Sequence, residues 1–263
     1  MATGNRTLVI LQALQSCRLL DTLQLARLTE WNTKPILIGS HQYPGSHDET
    51  VKILHRLEEK GVVKRYPNSN PYQKKIWTLV ENDFVTGDQR TGMLRHELDI
   101  ADFFVAFYLA SGEDLSHWDW HRHKDEDYDH ERYPLWDARF VYKNITVAIE
   151  HDNGTEGPET LYRKVDRYIT HAVDFPDDTF DHVIFSMKYI KDGFNLTDEQ
   201  RRRRATFRAN RLLKYVENKR RGNHFIIAWA ERLKETPLGD VLISPEDDTT
   251  PISLSLLASQ RIA

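Results

Sequence analysis

Asp137, Glu150, Asp152 and Lys164 fall within one short stretch, WDARFVYKNITVAIEHDNGTEGPETLYRKVDRY, from Trp136 to Tyr168. Clustered carboxylates bind a hard, oxygen-seeking cation, and a nearby lysine can steady the charge on a phosphate. This combination points to phosphodiester chemistry.

The elements that would position these groups can be read locally. Ala138 to Tyr142 and Ile145 to Ile149 are rich in β-branched and aromatic residues, and Lys143-Asn144 separates them as a tight turn, so they predict a β-hairpin with Asp137 at its mouth. Residues two apart in a strand share a face, which sends Glu150 and Asp152 the same way. Antiparallel pairing then brings Asp137 and Glu150 to one edge. Gly154 and Pro158 break the chain, and Glu159 to Thr170 predicts a helix with Leu161, Val165 and Tyr168 or Ile169 on its buried face. Lys164 stands about one turn into it, able to reach back. The plainer alternative is that Asp137 caps a turn, Glu150 to Glu156 form a solvated acidic loop, and Lys164 pairs with one of them at the surface.

The chain of 263 residues, 40% hydrophobic and 29% charged, has room for one large or two smaller hydrophobic cores. Its single cysteine, Cys17, excludes a disulfide framework or a cysteine zinc cluster and fits a reducing compartment. No apolar run approaches the roughly 18 residues needed to span a bilayer, and the N-terminus lacks a secretory layout, so the expectation is a cytoplasmic protein without a membrane partner. The net charge of -4 gives no support for nucleic-acid binding by itself. It is unevenly spread, however: Lys52 to Lys75 holds seven basic residues against two acidic ones, Glu113 to Asp137 is acidic, and Arg201 to Arg221 is basic again.

Near the N-terminus, Leu8, Leu11 and Leu14 mark a short buried helix, and Asp21 N-caps a second that carries Leu23, Leu25, Ala26 and Leu28. Ser46 or Asp48 opens a third helix with an apolar stripe of Val51, Leu54 and Leu57, and Gly61 closes it. Two strand-like runs, Val62 to Tyr66 and Lys75 to Val80, flank a Pro/Asn-rich tip. Three helices and a basic ribbon predict a winged helix-turn-helix. Its third helix would enter the major groove with Thr50, Lys52, His55, Arg56 and Glu59 facing DNA, while Lys64, Arg65, Lys74 and Lys75 grip phosphates. The same charges would also suit a solvated face of a module that contacts proteins.

Elsewhere, His121 and His123 lie in the segment HWDWHRHKDEDYDH, which has no clear period and predicts an exposed loop rather than a metal site. Asp99 and Asp102 read as polar-face residues of the helix beginning at His96. The Arg201 to Arg204 run follows the helix-start signal Thr197-Asp198-Glu199, with Phe207, Leu212, Leu213 and Val216 as the expected buried stripe. It reads equally as a DNA-facing surface and as an ordinary exposed face.

Four stretches together resemble the replication-relaxation family of bacterial plasmid and phage proteins: VILQALQSCRLLDTLQLARL, ETVKILHRLEEKGVVKR with its wing, HELDIADFFVAF, and the block from WDARF through AIEHDNGTEG to LYRKVDRY. The resemblance runs from residue 5 to about 232. It implies an α+β or α/β fold: a winged helix over residues 1–86, a PD-(D/E)XK restriction-endonuclease-like mixed sheet flanked by helices over 92–245, and a tail over 246–263. Asp137 matches the aspartate of the family's PDA turn, with Trp136 in place of proline, and Glu150 and Asp152 match its Glu-x-Asp. In the wider nuclease superfamily a lysine stands at the position of Asp152, so the resemblance makes Lys164 a migrated substitute. Glu97 fits an accessory acid. The resemblance thus implies that Asp137, Glu150 and Asp152 hold Mg2+ or Mn2+ and, with Lys164, form the catalytic set of a DNA endonuclease or nickase acting on double-stranded DNA in replication, relaxation or transfer. The alternative is a transcriptional regulator whose nuclease-like domain is degenerate and supports a homodimer. A base-modifying enzyme built on the histidine tract lacks the His-x-Glu and cysteine pattern that such chemistry needs.

Overall fold

The computed structural model describes residues 3–29, 36–38, 41–43, 45–66, 75–81, 91–111, 116–119, 129, 131–188, 197–219, 224–238, 240–242 and 251–253. The chain divides into two compact units, Met1–Val105 and Ala106–Ala263.

In the first unit, α1 (Thr3–Ser16) leads through β1 (Leu20–Asp21) into α2 (Thr22–Leu28). Asp21 accepts the Gln24 backbone N–H at 2.8 Å while the Gln24 side chain accepts the Asp21 N–H at 2.7 Å, a reciprocal capping box that fixes where α2 begins. A short antiparallel pair, β2 (Ile36–Ile38) and β3 (His41–Tyr43), precedes α3 (His47–Glu59). That helix ends in a Schellman motif: Gly61 N–H bonds to Glu58 O and Val62 N–H to Leu57 O, both at 2.9 Å, and Gly61 takes the left-handed φ of 69° the motif requires. The chain then returns through β4 (Val63–Arg65) and β5 (Ile76–Leu79), and the three strands pair antiparallel in the order β1-β5-β4. Leu19 and Ile76, backed by Leu94 and Leu98, form one apolar cluster.

The next helix, α4 (Thr91–Ala110), begins in the first unit and ends in the second. A five-stranded mixed sheet organises the second unit. β6 (Ser116–Asp119), β7 (Ala138–Tyr142) and β8 (Ile145–Asp152) form an antiparallel meander; α5 (Pro158–Asp174) and a 3-10 turn at Pro176–Asp178 lead to β9 (His182–Met187), parallel to β8. α6 (Asp198–Glu217) leads in turn to β10 (Phe225–Trp229), parallel to β9, giving the order β10-β9-β8-β7-β6. α7 (Ala230–Glu235) and the antiparallel pair β11 (Asp240–Leu242) and β12 (Pro251–Ser253) follow. The β7–β8 turn places Lys143 and Asn144 at φ 44° and 68°, the doubly left-handed turn whose twist suits a two-residue hairpin. Leu161, Val165 and Tyr168 of α5 and Ala205, Ala209, Leu212 and Val216 of α6 share a buried cluster with Ala148, Phe185 and Ile227 of the sheet. Trp118 stacks on Phe140 at 5.1 Å, and Phe107 packs on the same ring at 4.8 Å.

Several local expectations are corrected. α1 buries Val9, Ile10, Ala13 and Leu14 and leaves Leu8 exposed, because the helix turns its four-residue spacing inward rather than the Leu8 series. Ser46 does not cap α3 through its side chain; its hydroxyl donates to Ala26 O at 2.5 Å. Asp99 is buried rather than on a polar face, while Asp102 accepts from Gln24 Nε2 at 2.7 Å. His117 to Asp119, expected in a loop, lie in the edge strand β6, and β12 lies in the stretch read as a tail. Phe207, expected in the core, is 62% exposed, because the two alanines rather than the bulky ring continue the inward stripe of α6.

Candidate active site

The end of β8 carries the site. Asp137 precedes β7, and its backbone N–H bonds to Ile149 O at 3.0 Å, setting it opposite the end of the neighbouring strand. Its carboxylate then accepts the His151 N–H at 2.7 Å, so the side chain supplies the next rung of the ladder. Glu150, two residues beyond Ala148, points to the same α5–α6 face and is only 2% exposed. Gly157 and Pro158 start α5 at a fixed place, and Lys164 and Tyr168, one turn apart, share a helix face. Both reach Glu150: Tyr168 donates its hydroxyl hydrogen to Oε1 at 2.9 Å, and Lys164 Nζ lies 2.8 Å from Oε2. The lysine ammonium engages Oε2 as a charge pair, and a carboxylate oxygen has two lone pairs, so one remains for another donor or a cation. Glu156 holds the other side of Lys164 at 3.0 Å.

The electrostatics follow from this packing. Burial pushes the Glu150 carboxyl up from 4.5 to about 7, Lys164 pulls it back down, Asp137 adds to the rise, and the Tyr168 hydrogen bond lowers it again. Burial alone would favour neutral Lys164, but Glu150, Asp137 and Glu156 together outweigh it and hold the ammonium charged well above its ordinary range. The site therefore pairs a permanent cation with a carboxyl poised near neutrality.

Asp152 takes no part in this convergence. Its carboxylate accepts the Gly154 N–H at 2.8 Å and forms an ion pair with Arg208 of α6. The expected three-carboxylate metal set is not assembled: the Arg208 guanidinium engages Asp152, and among the described residues no group of three or more His, Cys, Asp or Glu side chains could hold a metal ion. What remains is the two carboxylates of Asp137 and Glu150; Mg2+ characteristically takes one or two carboxylates and completes its shell with water and phosphate.

The replication-relaxation family model matches residues 11–173, more than half of the chain. The chain belongs to the replication-relaxation family. No curated protein and no solved structure matches it. Family membership points to a role in DNA replication or relaxation. The stretch matched to the replication-relaxation family contains Asp137, Glu150, Asp152 and Lys164, and it ends within α5, ahead of β9, α6 and β10. It is therefore shorter than the span of resemblance read from the sequence.

The same stretch contains the residues expected to face DNA. Lys52 and Arg56 are exposed on α3, and Lys75 is exposed beside β5. Thr50 is corrected: it is fully buried, because its hydroxyl pairs with Thr29 Oγ1 at 2.9 Å across the α2–α3 contact and so needs no solvent. Arg65 turns onto α3, 2.5 Å from Glu58 and 3.2 Å from His55 Nδ1, with its guanidinium over Trp77. Lys64 Nζ donates to Val80 O at 3.2 Å. Lys74, like His121, His123 and His130, lies outside the described residues. Glu97 belongs to the first unit, where Arg18 approaches it at 3.7 Å. Buried Cys17 has its thiol pushed up by desolvation and by Glu97, which makes it a poor nucleophile.

Among the described residues no helix is long and apolar enough to cross a membrane. Sequence reasoning missed Tyr168 as a site residue and Arg208 as the partner of Asp152, whereas a pairing of Lys164 with an acid of the Glu150 to Glu156 stretch was among its alternatives. The spacing of Tyr168 one turn after Lys164 could have signalled the first, whereas nothing local announces an arginine on a later helix.

Proposed function

We propose that this protein binds double-stranded DNA through a winged helix in its first unit and hydrolyses phosphodiester bonds at Asp137, Glu150 and Lys164 in its second. The observation that carries the reading is the placement of Lys164 2.8 Å from Glu150, supplied by the helix that follows the strand. A lysine so placed restores the acid-and-amine pairing of a nuclease site even though Asp152 stands where a lysine is usual in the wider superfamily. The helix–meander–helix–strand order from α4 to β9 supports a PD-(D/E)XK-like fold, and the three helices with an antiparallel β1-β5-β4 sheet support the winged helix.

In this mechanism Asp137 and Glu150 would hold Mg2+ or Mn2+, which would supply acidity to a water and neutralise phosphate charge. Lys164 offers its ammonium to the negative charge that grows on the phosphate oxygens. Tyr168 fixes the Glu150 carboxylate through its hydroxyl. Asp152 positions the strand end through Arg208 and Gly154 rather than serving as ligand or base. Lys52, Arg56 and Lys75 contact DNA phosphates from the first unit.

Incubation of supercoiled plasmid with Mg2+ or Mn2+ tests this reading, with Glu150→Ala alongside. Nicked or linear product from the wild type alone is expected, with both proteins still shifting duplex DNA in a gel. One observation favours a second reading, a regulator that binds without cutting: Lys164 is held between Glu150 and Glu156, so its charge is already internally paired. Intact plasmid with an undiminished gel shift would establish that reading instead.

A further inference from the structure

The exposed face of α6 is strongly basic and carries an exposed aromatic ring. The helix carries seven arginine or lysine residues against three acids in a chain whose net charge is -4. Its buried side is fixed by Ala205, Ala209, Leu212 and Val216, which turns Arg202, Arg203, Arg204, Phe207 and Arg211 outward. Phe207 is 62% exposed, and the Arg211 guanidinium sits 5.7 Å from its ring centre. Among the described residues, Glu199, Arg202, Arg203, Thr206, Phe207 and Asn210 line an open depression beside that ring.

A lone exposed phenylalanine is ordinary on a protein surface. A phenyl ring set among outward guanidinium groups is a different arrangement, since it joins a stacking platform to charges complementary to phosphates. A base in an intact duplex has both faces covered and offers such a ring nothing, whereas an unpaired base has a free π-face. We infer that the outer face of α6 is a binding surface for single-stranded DNA, with one base stacked on Phe207 and the flanking phosphates on Arg202, Arg204 and Arg211. Arg208, the next residue after Phe207, is tied to Asp152 at the end of β8, so the bound strand lies on the helix anchored to the strand that carries Glu150. The surface lies outside the stretch matched to the family. The choice of DNA over RNA rests on the proposed function above; the stacking surface itself does not.

Fluorescence anisotropy with the full-length protein tests it, using a labelled oligothymidylate, the corresponding oligouridylate and a labelled duplex. Phe207→Ala is expected to weaken oligothymidylate binding roughly tenfold. Phe207→Tyr, which keeps the ring, is expected to bind as the wild type does, and neither change is expected to alter duplex binding. Replacing Arg202 and Arg204 with Gln is expected to reduce the dependence of log affinity on log salt by about 1.4. Unchanged oligothymidylate affinity in Phe207→Ala overturns the inference, as does equal weakening of duplex binding or tighter binding of oligouridylate. Plasmid cleavage is scored separately. Loss of stacking in Phe207→Ala with an uncut plasmid sustains the strand surface while sinking the nuclease, and cleavage without any Phe207 effect does the reverse.

Discussion

Glu150 combines near-complete burial with two partners that stabilise its charge, and its proton affinity decides how the site behaves with pH. Because its pKa rises from 4.5 to about 7 on folding, the native state binds this proton more tightly than the unfolded chain does. The associated stabilisation is complete below the unfolded value and is lost as pH rises through about 7. Glutamine carries no such proton. Urea unfolding of wild type and Glu150→Gln should therefore show wild type losing ground between pH 4.5 and 7, by up to about 3 kcal/mol, with no further change just above that window. A pH-independent difference would mean that Glu150 ionises at the same pH in both states. Asp137, Glu150 and Lys164 were legible in the sequence because strand alternation, a tight turn and a helix start are local signals. Arg208 was not legible: its partner Asp152 lies 56 residues away, and no short pattern encodes that meeting.

At the scale of elements, termination signals proved easier to read than burial. Gly61 was identified as the end of α3, and its φ of 69° together with the two Schellman hydrogen bonds explains why glycine is needed. No atom lies within 4 Å of where a Cβ would stand, so the backbone conformation alone sets the cost of adding one. Gly61→Ala should destabilise the protein by about 1 kcal/mol, read as a lower urea midpoint without a change in slope. Gly61→Asn should recover part of the loss, since asparagine tolerates this conformation better; equal stability of Gly61→Ala and wild type would show that the turn relaxes to another geometry. The inward face of α6 was misread at Phe207 for a physical reason. Size was taken as the signal for burial, whereas close packing of α6 draws on the small Ala205 and Ala209 and leaves Phe207 outside.

For the whole molecule, the family match and the folding architecture do not coincide. The matched stretch ends at residue 173, yet β8 is hydrogen-bonded on one side to β9, which lies beyond it, and β10 lies farther still. Ending the chain after Val173 would expose the β8 edge and the buried Val147, Ala148 and Ile149. Such a truncation should aggregate or unfold without a cooperative transition, as followed by size exclusion and circular dichroism; a soluble, cooperatively melting product would show that the meander and α5 form a self-sufficient core. The division between Val105 and Ala106 was not legible either, because it falls inside one continuous helix that carries no proline or glycine at the break.

The hydrogen bond from the His151 amide to the Asp137 carboxylate makes one backbone proton a resident spectroscopic reporter. An amide that donates to a carboxylate resonates differently when that carboxylate is protonated or engaged by a cation. A single resolved 1H–15N cross-peak, recorded on protein enriched in 15N but otherwise unaltered, would then follow ionisation and ion loading at the site with no mutation and no cleavage assay.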